Sequence, residues 1–213
     1  TIPLGNQLVL VERAIQEEEY LLLRRWSNKV GEYALSLGKL GHILLQLDLA
    51  LARARYGRWL GGVPPSLSKE PNAPFVLQGL RHPLLIWKHR HESGEEVIPI
   101  NIEVQSATKV VAITGPNTGG KTAALKNIGL AILMARAGLL LSCTGKASLP
   151  WCNQVLADIG DEQSLQQNLS TFSSHIIRIN NIIKALDTTP GPSVVLLDEI
   201  GAGTDPSEGS ALA

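Results

Sequence analysis

Eight residues constrain this chain more than any others. Gly115, Pro116, Asn117, Thr118, Gly119, Gly120, Lys121 and Thr122 follow the β-branched run Val110-Val111-Ala112-Ile113-Thr114 and lead into an amphipathic stretch from Lys121 to Ala137. This is G-x-x-x-x-G-K-[ST] with a strand expected before it and a helix after it. Glycines let successive backbone N–H groups turn inward around a phosphate with no Cβ in the way. The start of the following helix adds its partial positive charge. Lys121 can reach the β and γ phosphates, and the Thr122 hydroxyl is the expected Mg²⁺ ligand.

A second segment complements the loop. Ser193-Val194-Val195-Leu196-Leu197 is apolar on every residue after the first and ends in Asp198 and Glu199. A run buried on both faces suits a central parallel strand, and open α/β sheets bind ligands at the carboxyl ends of such strands. Asp198 is expected to face the loop and hold Mg²⁺, directly or through water. Glu199 is placed to orient or deprotonate an attacking water. Gly201 to Pro206 then reads as a turn, with Asp205 at an N-cap and Pro206 at N1. Asn168 to His175 brings several hydroxyls to a helix start. Capping explains them. They also suit a second phosphate-sensing helix end, like the signature loop of ATP-binding-cassette ATPases. His175 reads as a helix-surface residue.

Around these segments, strands are expected at Phe75–Gln78, Val97–Val104, Val110–Thr114, Leu139–Ser142, Gln154–Ala157 and Ser193–Asp198. Helices are expected at Lys121–Ala137 and Phe172–Leu186. Alternating strands and helices imply an α/β domain with a mostly parallel sheet. The chain before residue 60 differs. Val30, Tyr33, Leu37, Leu40, Leu44, Leu47, Leu51 and Ala54 recur at steps of three and four. This heptad-like seam predicts one long helix over about residues 6–58, roughly 75 Å at 1.5 Å per residue. Gly31, Gly38 and Gly41 interrupt it at about 1 kcal/mol each. A break or close helix contact is expected near 38–41, and two ordinary core helices joined there are the alternative. Four prolines and two glycines in 61–74 mark a boundary. The expected division is therefore a helical lever or core at 1–60, a linker at 61–74 and an α/β domain at 75–213.

Composition narrows the remaining classes. Two cysteines, with no CxxC or Cys/His pattern, suggest neither a disulfide scaffold nor a structural zinc site. No run of 18 apolar residues occurs, so no spanning helix is expected. The N-terminus lacks a signal peptide's basic region and an initiator Met, which suggests a cytoplasmic protein and a piece of a longer chain. Nineteen basic residues balance nineteen acidic ones. Residues 48–91 are the most one-sided, with 7 basic against 2 acidic and three histidines, a modest basic region. Arg53, Arg55 and Arg58 with Tyr56 and Trp59 could stack bases and meet phosphates. A solvated helix end whose cations offset its dipole is the favoured reading. Lys88, His89, Arg90 and His91 read as a charged loop rather than a metal site.

GPNTGGKT, DIGDEQS (158–164), LSTFSSH (169–175), LLDEIGAGTDP (196–206) and EGSALA (208–213) together resemble the MutS family of ATPases, nearer its type-two bacterial branch than its mismatch-sensing branch. Arg81-His82-Pro83 and the 144–150 segment fall where that family places its pre-sheet and sheet segments. Lys121 and Asp198 are only 77 positions apart, so the coiled-coil-like segment precedes the α/β domain instead of dividing it, which is also MutS-like. The resemblance implies a P-loop, ABC-type ATPase domain, incomplete at its C-terminus and preceded by a lever-like helix. It implies ATP phosphates on residues 115–122, Mg²⁺ at Thr122 and Asp198, and Glu199 as catalytic carboxylate. Gln163 would sense phosphate state. Ser170 and Thr171 would complete a partner's site across a homodimer. Adenine would lie near Val97 and Ile98, where an aliphatic residue stacks less well than the aromatic often found in the mismatch branch.

The family's switch histidine, remaining sheet and dimerisation helix would lie after this chain, as would a C-terminal Smr nuclease domain. The DNA-embracing clamp would lie before it. The resemblance thus implies an ATP hydrolase, weak or inactive in this piece alone. Its whole protein would act on branched or mismatched DNA, suppress recombination and also engage stalled ribosomes and their rRNA, with no membrane partner. Mismatch repair proper, or a non-catalytic dimerisation module, are the alternatives.

Overall fold

The structure is a computed structural model that describes residues 2–70, 73–92, 95–116, 119–160 and 171–199. The chain forms two compact units, Thr1–Ala52 and Arg53–Ala213. The first holds α1 (Ile2–Glu32) and most of α2 (Ala34–Leu60). Only Tyr33 separates the two helices. Its carbonyl still accepts the Leu37 amide at 2.9 Å, so the helical ladder resumes at once. The interruption is at Tyr33 and not at 38–41. A β-carbon on Gly31, Gly38 or Gly41 would meet nothing within 4 Å, so no close helix contact accounts for these glycines. Every residue from 3 to 52 is exposed, and the seam has no partner within its own unit. By length and composition α2 is also apolar enough to cross a membrane, with none of its most apolar stretch buried. The expectation from uninterrupted runs is corrected: the charges of α2 break up its apolar residues but are too sparse to lower its mean hydropathy much.

The second unit is a mixed α/β structure. Its strands are β1 (Ser66–Ser68), β2 (Phe75–Leu80), β3 (Ile100–Val104), β4 (Ala147–Pro150), β5 (Gln154–Asp158) and β6 (Ser193–Leu197). Its further helices are α3 (Pro83–His91), α4 (Lys121–Arg136) and α5 (Thr171–Thr188). One sheet has the order β1-β4-β2-β3. Only β1 runs parallel to its neighbour there, while β2 is antiparallel to both β3 and β4. The expected mostly parallel sheet is therefore a mixed one. β5 and β6 form an anticipated parallel pair, in register from Gln154↔Ser193 to Asp158↔Leu197. The β2–β3 connection carries the short helix α3, which needs no parallel crossover.

Four local expectations also change. Residues 110–114 form no strand, and Val110 stands 84% exposed. β propensity becomes a strand only where the chain is paired along an edge, and residues 110–114 are paired with neither β5 nor β6, which bond only to each other. Residues 139–142 contribute one bridge, Val63↔Leu141, instead of a strand. Residues 88–91 are not a loop but the last turn of α3. His82 caps that helix by accepting the Leu84 amide at 3.3 Å, and Pro83 occupies its first turn. The 61–74 segment contains β1 and the Val63 bridge, because a Pro-rich stretch can still pair along an edge.

Helix α4 joins two apolar clusters. Ala131, Met134 and Ala135 pack with Leu60, Leu77, Leu80, Leu141 and Leu149. Ile128 and Ile132, one turn apart, pack instead with Cys152, which precedes β5, and Leu196 of β6. A β-carbon on Gly129 would come within 2.7 Å of the Leu196 side chain, so the glycine lets α4 lie close on β6. That close approach sets the start of α4 beside the end of β6. The last turns of α2 anchor in the same unit: Leu60 is fully buried, and Gly57 faces Leu140.

Candidate nucleotide site

The site begins at the loop that opens α4. Gly120, with φ 77°, is its N-cap in the left-handed region that favours glycine. It offers no side chain to cap the helix, so the first N–H groups of α4 have no side-chain acceptor at that position. A β-carbon on Gly115 or Gly120 would meet nothing within 4 Å, so the loop borders open space. Lys121 folds back, donating from Nζ to the Gly115 carbonyl at 2.6 Å, which braces the two ends of the loop. Pro116 accepts the Gly119 amide through its carbonyl at 2.9 Å. Asn117 and Thr118 lie outside the described residues.

The next residue makes the decisive contact. The Thr122 hydroxyl donates to Oδ2 of Asp198 at 2.6 Å, 76 positions away in sequence. Asp198 directly follows β6, and its amide donates to the Asp158 carbonyl at 2.9 Å, extending the strand pair by one bond. Glu199, exposed, has φ 47° and is the one non-glycine residue at positive φ among the described residues. That backbone setting costs roughly 1–3 kcal/mol for a non-glycine residue and turns the chain sharply off the strand. The hydroxyl and carboxylate are hard oxygen donors of the kind Mg²⁺ takes, and that ion commonly uses only one or two carboxylates. Accordingly no group of three or more His, Cys, Asp or Glu gathers among the described residues.

Other expected residues are not all brought to this point. Val97 packs against the larger apolar cluster, whereas Ile98 is 84% exposed. Gln163 and Ser170 lie outside the described residues, and Thr171 opens α5. Tyr56 and Trp59 pack partly against the core. Arg90 lies over the Trp59 ring at 5.3 Å and also donates to the Trp59 carbonyl, so that ring is not free for a base.

One pair of contacts was not anticipated. Asp158, 3% exposed at the end of β5, accepts from His175 Nδ1 at 2.7 Å and from an Arg178 guanidinium N–H at 3.0 Å. The signals were present: Asp158 ends an apolar strand as Asp198 does, and His175 and Arg178 are three apart on one face of a helix.

The family profile described as MutS domain V, an ATPase domain, matches residues 111–213. Along its whole length the chain is 50% identical to Endonuclease MutS2 of Synechocystis sp., covering 28% of that protein. It is 43% identical to Endonuclease MutS2 of Halothermothrix orenii over 99% of the chain and 25% of that protein. Against Endonuclease MutS2 of Halalkalibacterium halodurans the identity is 42%, over 100% of the chain and 26% of that protein. The chain thus spans about a quarter of the length of the curated relatives it matches. It corresponds to their ATPase region, and a domain V profile joined to likeness over the full chain places it in the MutS family, within the type-two bacterial branch.

Proposed function

We propose that this chain carries the nucleotide-binding part of a cytoplasmic, homodimeric ATP hydrolase that acts on DNA. Residues 115–122 cradle the ATP phosphates through backbone N–H groups, with Lys121 released from Gly115 to meet them. Thr122 and Asp198 hold Mg²⁺, which would supply charge neutralisation between the outer phosphates. Glu199 orients the attacking water and accepts its proton. Gln163 reports phosphate state, Val97 and Ile98 border the base, and Ser170 with Thr171 completes the partner's site. The observation that carries this reading is the 2.6 Å contact between Thr122 and Asp198, which brings the loop and the acidic strand end to one point.

The functional division follows the sequence. Residues 1–60 serve as a lever, residues 61–74 join it to the domain, and 75–213 form the ATPase part. ATP binding clamps two subunits together, hydrolysis resets them, and the lever carries that change toward DNA. The apolar seam of α2 is read as a helix-pairing surface, not a membrane span, because its three-and-four spacing is that of a coiled coil. Branched or recombining DNA is the proposed target, with recombination suppressed as the result, and stalled ribosomes are a second target. Nuclease chemistry belongs to other parts of the whole protein.

The test is Lys121→Ala in the whole protein. It is expected to weaken ATP binding by about 10- to 150-fold, the worth of one charged hydrogen bond. Unchanged affinity, measured with a fluorescent ATP analogue, would reject the reading.

A further inference from the structure

The ends of β5 and β6 carry two different carboxylates. Asp198 bonds to Thr122 at the head of α4, while Asp158 bonds to His175 and Arg178 on α5. The backbones of the two acids are tied directly, Asp198 amide to Asp158 carbonyl, at 2.9 Å. Asp158 is nearly inaccessible, and each of its oxygens has its own charged or polarised donor. Burial of a carboxylate is tolerated only with such partners.

What this clamp holds is the first part of α5. Toward its C-terminal half the helix is secured by buried Ile182 and by a Gln154 side-chain amide bonded to the Ala185 carbonyl at 3.4 Å. Nearer its start, Ile176 and Ile177 are 41% and 51% exposed, so those two described side chains add little burial there. His175 lies about one turn from Thr171, where α5 opens. The polar clamp therefore holds α5 about one turn from its opening at Thr171.

We infer that Asp158 is a positioning residue that, through His175 and Arg178, sets the opening of α5 relative to the strand ends at the nucleotide site. A shift at Thr122 and Asp198 passes across one backbone hydrogen bond to Asp158 and so to the helix start. This rests on the two-subunit reading above, in which that helix start completes the other subunit's site. Asp158 then acts in trans, although its backbone is tied to its own subunit's Asp198.

Mixed dimers of the whole protein test this. Asp158→Asn is expected to bind ATP as tightly as wild type yet turn it over slowly, and Lys121→Ala to fail at binding. In an equal mixture of the two, half the dimers are mixed, and each mixed dimer keeps one complete site. Turnover then recovers to about a quarter of wild type. The control is Lys121→Ala mixed with Ser170→Ala. If the control recovers and the Asp158→Asn mixture does not, Asp158 acts in cis and the inference is overturned while the two-subunit reading stands. If the control itself does not recover, the two-subunit reading falls and the inference with it. Should Asp158→Asn melt at a lower temperature, His175→Gln, at a partly exposed position, replaces it in the same mixture with the same expected recovery. No recovery with a folded His175→Gln variant would likewise overturn the inference.

Discussion

Leu44 and Leu77 are the same residue in two different physical situations. Leu77 is fully buried among the residues that α4 joins, whereas Leu44 is 54% exposed on a helix whose neighbours are all exposed too. The unit from Arg53 onward satisfies its apolar side chains with its own fold. The unit up to Ala52 displays a spaced apolar seam that its own residues never cover. A lone helix gains little from hydrophobic burial, and three glycines weaken it further. One unit is thus a folded site, and the other is a surface whose apolar content acquires worth only against something else.

The largest effect expected from this contrast is on turnover. Glu199→Gln in the whole protein should lower kcat by about 10²- to 10⁴-fold while leaving ATP affinity in place, as loss of a general base does. A substitution on the exposed helix, such as Leu45→Ala, should leave ATP affinity unchanged. An unchanged kcat for Glu199→Gln, or a loss of ATP affinity from Leu45→Ala, would erase the distinction between the units.

Stability comes next. Leu77→Ala should cost about 2–5 kcal/mol in chemical denaturation of this chain, since it empties a packed site. Leu44→Ala should cost well under half of that, having little burial to lose. Repeating Leu44→Ala in the whole protein sharpens the comparison: a cost there that is absent from this chain would show that the seam is covered.

A smaller effect is set by pH. His82 caps α3 through its unprotonated Nδ1, and its pKa is lowered below 6.5 by burial and then by the Lys126 ammonium. A histidine that resists protonation when folded gives its full stability above the unfolded value. That stability is lost as pH falls from about 6.5 toward the lower folded value. The loss should approach the worth of a cap, about 1 kcal/mol. His82→Asn, which still caps but does not titrate, should flatten the dependence, measured by denaturation at a series of pH values. The smallest effect is chemical. Burial pushes the Cys143 thiol up to about 11, and Cys152 is raised as well, so neither should react with a thiol reagent until the second unit opens.

The legible parts of the molecule were those written in contiguous residues. α4, α5, β5 and β6 each carry their own spacing or turn chemistry, and appear within a residue or two of where the sequence puts them. What the sequence did not disclose depends on partners far along the chain. Val110 to Thr114 has strand composition but no ladder partner, while the less obvious Ala147–Pro150 becomes β4 because β1 and β2 flank it. The meeting of Thr122 and Asp198 was expected from motif logic. Asp158 escaped notice because its significance lies in two donors, 17 and 20 positions on, that only the docking of α5 brings to it.

The central claim is that the loop and the β6 end act as one site, and a double-mutant cycle measures this directly. Mg²⁺-dependent ATP binding is titrated for wild type, Thr122→Val, Asp198→Asn and the double variant of the whole protein. The account predicts strong coupling, with the double variant no worse than the weaker of the two single variants. Fully additive losses would mean that the two side chains serve nucleotide binding independently, and would contradict it.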